Sequence, residues 1–175
     1  MAVLQGEVWH LAQLRILDSI LQGLGYRTHL LNQSASIPQP VLLVKVALPG
    51  ERPPLEMALG FYPVDPQQVK HMLLLQYFME LPLSLDEDGV RRVRDLLPDL
   101  NSKTVLGHFS LVSARSSMTY RYVQALPVSE PITQPAVADV IIMVGYTPAL
   151  FIELLDAVTR NLLTVEEARA KLAAQ

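Results

Sequence analysis

The stretch TVLGHFSLVSARSSMTYRYVQAL, Thr104–Leu126, decides the fold. Two runs of β-branched, aromatic and leucine residues, Thr104–Ser113 and Met118–Leu126, flank Ala114-Arg115-Ser116-Ser117. Short polar residues at that point form turns, so the segment predicts a β-hairpin. Within the second run Thr119-Tyr120-Arg121-Tyr122 alternates polar and aromatic side chains, which places Tyr120 and Tyr122 on one face. Both cross-strand packing and stacking on a ligand fit such a pair.

Upstream of the hairpin, four further runs have strand character: Tyr26–Asn32, Val41–Leu48, Leu55–Tyr62 and Val69–Leu81. Their separators hold Pro38 and Pro40, then Pro49-Gly50-Glu51-Arg52-Pro53-Pro54, then Pro63 and Pro66. Proline has no N–H to give a ladder, so these clusters belong in loops and the runs predict an antiparallel meander. Met72 to Met79 is apolar apart from Gln76, and periodicity does not separate a buried helical turn from a strand covered on both faces.

Helices bracket these strands. Leu14, Leu17, Leu21 and Leu24 recur at steps of three and four within Leu4–Leu24, beside Trp9, Ile16 and Ile20, and Gly23 and Gly25 follow as C-terminal stop signals. Ser84-Leu85-Asp86-Glu87 has capping-box form and opens a helix with Val90, Val93, Leu96 and Leu97 inward. Glu87 with Arg91 and Asp88 with Arg92 form outer pairs, and Pro98 predicts an early end. After a Pro127–Pro135 linker, Ile141, Val144, Pro148, Phe151, Leu155, Val158 and Leu162 mark a long helix over Val137–Leu163, bent or broken near Gly145 and Pro148. Thr164-Val165-Glu166-Glu167 repeats the capping box and predicts a short helical extension over 164–175. The order α-β-β-β-β-α-β-β-α predicts an α+β fold: a single antiparallel sheet packed by N-terminal, central and C-terminal helices, all in one domain over 1–175.

Composition bounds the function. The chain has 175 residues, 50% hydrophobic and 18% charged, with a net charge of −3 and no cysteine. A mean hydropathy of +0.27 excludes disorder, and the length supports a core without staples. Cysteine-free composition rules out thiol nucleophiles and Cys metal sites, and suits a reducing, cytoplasmic setting. The first basic residue is Arg15, which predicts no secretory leader, and the apolar stretch Val140–Ile152 falls short of a membrane span. A pI near 5.8 without a basic stripe argues against nucleic acid.

Catalytic signatures are sparse. No His-x-x-x-His pair, Gly-x-Ser-x-Gly elbow or Gly-Lys-Ser/Thr phosphate loop occurs. Gly23-Leu24-Gly25 follows a helix and acquires no third glycine, so it reads as a helix cap rather than a dinucleotide fingerprint. Asp86-Glu87-Asp88 sits in a first helical turn, where acidic residues answer the helix dipole without a cation. His29, His71 and His108 lie in or beside strand runs, and a pocket formed by His71, His108, Tyr120 and Arg121 is the alternative reading, as a ligand-binding protein or enzyme. A structural subunit of a larger assembly is a third reading. No cofactor and no metal are expected.

Three passages resemble the bacterial YbjN-like group, whose fold is similar to type III secretion chaperones. They are Leu21-Gln22-Gly23-Leu24-Gly25-Tyr26, the hairpin from Gly107-His108-Phe109-Ser110-Leu111 to Met118-Thr119-Tyr120-Arg121-Tyr122, and Tyr146-Thr147-Pro148-Ala149-Leu150-Phe151. The resemblance implies an α+β domain, a homodimer, and a non-enzymatic role in which a protein or peptide client is held in extended form along apolar surface. The long run Val69–Leu81 and the proline loops have no counterpart in that pattern. The expected partner surface is built from Leu73, Leu75, Tyr77, Tyr120, Tyr122 and Phe151. Val69–Leu81 and Val140–Ile152 hold more apolar surface than one core layer needs, so a client or second subunit is expected there.

Overall fold

The computed structural model describes residues 2–35, 37–48, 53–65 and 68–174, with side chains from Trp9 onward apart from Ser113. Pro49–Arg52 and Pro66 of the predicted proline loops lie outside the described residues. Helix α1 (Ala2–Gly23) leads into strands β1 (Arg27–Leu31), β2 (Val41–Val46), β3 (Leu55–Phe61) and β4 (Met72–Glu80). Helix α2 (Glu87–Ser102) follows, then β5 (His108–Val112) and β6 (Ser117–Pro127), then α3 (Gln134–Thr159) and α4 (Val165–Ala173). The fold is α+β, with one antiparallel six-stranded sheet in the order β1-β2-β3-β4-β6-β5.

The joint between α1 and β1 follows from its glycine. Gly25, at φ +88°, adopts the left-handed conformation, Tyr26 N–H donates to the Leu21 carbonyl and Gly25 N–H to that of Gln22. Those two bonds close the helix and reverse the chain into β1. Thr28 is then held against α1 by Asp18 and Gln22.

Met72–Glu80 is a strand. Burial alternates along it, and its central place between β3 and β6 settles what its largely apolar sequence left open. On the helix-covered face lie Leu42, Val44, Met57, Leu59, Leu75, Tyr77, Met79, Met118 and Tyr120, all essentially inaccessible. Leu14, Leu17 and Leu21 of α1, Val93, Leu96 and Leu100 of α2, and Val144, Phe151 and Leu155 of α3 close the same core.

Several boundaries differ from the sequence reading. The first strand of the hairpin starts at His108, not Thr104, because Lys103 and Thr104 still bond back to the last turn of α2: Thr104 donates through N–H to Asn101 and through Oγ1 to Leu100. The cap of α2 is Asp86, whose Oδ1 accepts from Gly89 N–H at 2.6 Å, and not Ser84, because the chain stays extended until Asp86. Pro98 is accommodated inside α2, which runs to Ser102. Arg91 sits beside both Glu87 and Asp88, at 3.8 and 3.4 Å, while Arg92 turns inward to the Val158 and Thr159 carbonyls, at 2.8 and 2.7 Å. Helix α3 runs unbroken past Gly145 and Pro148 and ends at Thr159, short of Leu163. The Thr164–Glu167 capping box is present in α4, as the sequence predicts.

Candidate functional site

The six residues expected to form a partner surface lie on the inside. Leu73, Leu75, Tyr77, Tyr120 and Phe151 are buried and Tyr122 is half-buried, all packed in the core beneath the helices. Tyr77 and Tyr122 are register partners with ring centroids 5.8 Å apart, and Phe109 meets Tyr120 at 4.9 Å and Phe151 at 5.9 Å. The alternation that gathers these aromatics points them all at the helix layer. Their phenols are tied down: Tyr77 donates to Gln124 at 2.7 Å, Gln124 donates on to the Ala136 carbonyl at 2.9 Å, and Tyr120 donates to the Leu106 carbonyl. Burial pushes the Tyr77 and Tyr120 phenols above their ordinary value, with Tyr122 adding to both.

The alternative constellation does not assemble. Tyr120 faces the helices, whereas His108 and Arg121 are paired across β5 and β6 on the opposite face. His71 precedes β4, and the six residue steps from Met72 to Phe78, which pairs with Arg121, span roughly 20 Å of extended chain. Hydrogen-bonded chemistry needs about 3 Å contact, so these four groups do not act on one substrate atom. Among the described residues no group of three or more His, Asp or Glu side chains is placed to hold a metal ion.

What the structure leaves accessible is the other face and the two edges of the sheet. Among the described residues no helix covers the outer face, where one register row reads His29, Leu43, Ala58, Phe78, Arg121, His108. Leu43, Ala58 and Phe78 are half-buried there by their neighbours alone.

The edges differ. At β5 the side-chain amide of Asn101, from the last turn of α2, accepts from Phe109 N–H at 2.7 Å and donates to the Phe109 carbonyl at 3.0 Å. Both groups that a further strand would use at that residue are thereby taken, so pairing is blocked at Phe109. Strand β1 is the opposite edge, and among the described residues nothing bonds to the backbone of Arg27–Leu31 on its outward side. Beside it opens a groove of about 610 Å³ lined by Tyr26, Arg27, His29, Leu43, Lys45 and Pro54, among others. Sequence reasoning missed Arg27 and Asn101 because edge position is set by β6 inserting between β4 and β5. The one available signal was the Arg-x-His alternation at Arg27 and His29.

The second accessible feature is on α3. Ile142, Met143, Tyr146 and Leu150 form an exposed apolar stripe on its outer side, ended by Asp139 and Glu153. Among the described residues α3 is the one helix long and apolar enough to cross a membrane, and 44% of its most apolar window is buried inside the protein.

These features define an α+β protein with an open-faced sheet, one edge blocked at Phe109 and one free edge. No protein-family profile and no curated protein matches the sequence. Among solved structures, the fold is similar to that of YbjN from E. coli, a presumed transcription regulator, at 14% identity and a TM-score of 0.49, over 85% of this chain and 93% of that one. At that level of likeness, function is read from this chain's own residues.

Proposed function

We infer that the protein is a non-enzymatic binding module that takes up an extended protein or peptide segment along the free edge of β1. The observation that carries this reading is the asymmetry of the edges: Asn101 takes both outward backbone groups of Phe109 on β5, while β1 keeps all of its outward backbone groups unpaired among the described residues. An open edge offers main-chain hydrogen bonds to any extended chain and a row of side-chain positions that select among them. Hydrogen exchange tests it. Peptides selected on the full chain from a display library slow exchange of the amides in Arg27–Leu31 and leave those of His108–Val112 unchanged. Protection confined to other elements overturns the reading.

The same reading takes the chain as a homodimer through α3. The exposed stripe is close to symmetric about Tyr146, with Ile142 and Leu150 four residues to either side and Asp139 and Glu153 seven. A two-fold axis at Tyr146 matches apolar with apolar. Helices crossing at about 50° rather than lying antiparallel keep the acidic ends apart.

A further inference from the structure

Resting on β1 as a docking edge, the chemistry of the incoming strand follows from the outer face of that edge. Alternation puts Arg27, His29 and Leu31 on the uncovered face and Thr28 and Leu30 toward α1. Arg27 lies directly opposite Lys45, and Lys45 lies opposite Glu56 on β3. The Lys45 ammonium is 2.6 Å from the Glu56 carboxylate, with both side chains about half exposed (49% and 47%). One carboxylate thus serves a row holding two cations, and the nearer cation takes it.

Arg27 is exposed, and no carboxylate among the described residues pairs with it. Like charges opposite each other on neighbouring strands are unfavourable, and an acid on the far side of Arg27 would leave both cations flanked by carboxylates. His29, two residues along, supplies a ring N–H at the next outward position, and Leu31 an apolar one. The groove beside them leaves room for side chains on that face.

We propose that β1 receives an extended peptide segment carrying carboxylates at alternate positions, opposite Arg27 and His29, followed at the next alternate position by an apolar side chain opposite Leu31. Arg27 is the specificity-determining residue. The guanidinium presents a fork of donors that fits a carboxylate, whereas the backbone edge contributes affinity without regard to sequence.

Synthetic peptides of one length, with Glu, Gln or Lys at the two positions, separate these contributions when titrated into the full chain by fluorescence anisotropy. The Glu peptide binds about five- to tenfold more tightly than the Gln peptide, as two partly exposed charge pairs allow, and the Lys peptide binds weakest. Arg27→Glu, an exposed substitution whose fold is checked by circular dichroism, reverses the ranking of the Glu and Lys peptides. Equal binding of the Glu and Gln peptides, with N-methylation of the strand-facing amides still abolishing both, overturns the acidic preference while the strand reading stands. Undiminished binding of the N-methylated Glu peptide overturns strand addition itself. Displacement of the Glu peptide by an equal concentration of free glutamate reduces the site to a simple anion pocket and also overturns the proposal.

Discussion

Gln124 joins three elements through one side chain. Its oxygen accepts from Tyr77 of β4, and its nitrogen donates to the Ala136 carbonyl in the first turn of α3. Tyr77→Phe leaves the Gln124 oxygen without its donor in a nearly dry place, which destabilises the fold by about 1–2 kcal/mol in urea denaturation. The same phenol sets a pH limit. Tyr77 and Tyr120 are raised above the ordinary 10.0 by burial, so the folded protein keeps protons there that the unfolded chain loses. Stability from this source is complete below pH 10 and falls as pH rises past it. Tyr77→Phe therefore flattens the decline in melting temperature above pH 10, and an unchanged slope contradicts the assignment. Glu167 behaves in the opposite sense: the Thr164 N–H and hydroxyl hold its carboxyl below the usual value, and that contribution is lost as pH falls below about 4.5.

At the scale of elements, α3 and β4 explain where the sequence was legible and where it was not. Steps of three and four marked Ile141, Val144, Phe151, Leu155 and Val158, and all five are buried. That pattern survives folding because one helix face meets one sheet. In β4 the outward Met72, Leu74 and Phe78 are apolar too and Gln76 is the one polar residue between them, so period two was faint and pairing on both sides made the strand. Pro148 cannot donate to the Val144 carbonyl, yet the helix continues, with Thr147 Oγ1 adding a bond to Met143 at 2.8 Å. Gly145 is there for contact: a Cβ would lie 2.7 Å from Val46 Cγ1, so α3 rests directly on β2. Gly145→Ala gains helix propensity of about 1 kcal/mol but forces overpacking of about 1–3 kcal/mol. Thermal denaturation gives net destabilisation, and adding Val46→Ala at the contact makes the double mutant less destabilised than the sum of the two changes.

Among the described residues the whole molecule is two layers, with helices on one face of the sheet and none on the other. The sequence placed the tyrosines correctly on one face but could not say which face the helices cover. The expected partner surface and the real core therefore changed places. Leu73, Leu75 and Tyr77 went inside, and among the accessible apolar groups are Ile142, Met143, Tyr146 and Leu150 on α3 and Met72 and Val123 on the sheet. Whether copies associate through α3 is read by sedimentation. The wild-type chain runs at twice 19.5 kDa, and Tyr146→Glu, exposed and outside the core, runs at 19.5 kDa. A wild-type monomer indistinguishable from Tyr146→Glu removes the α3 interface, and vesicle flotation dependent on Tyr146 assigns the stripe to a lipid surface instead.

The amide of Asn101 also governs growth. A sheet with two receptive edges is a monomer in the polymer chemist's sense, because each copy can add the next head to tail without end. With β5 blocked at Phe109, a strand added at β1, whether a guest or a two-fold-related copy, would leave no second edge equally ready to continue the series. A single side chain at the far side of the sheet thus works against head-to-tail propagation into a fibre.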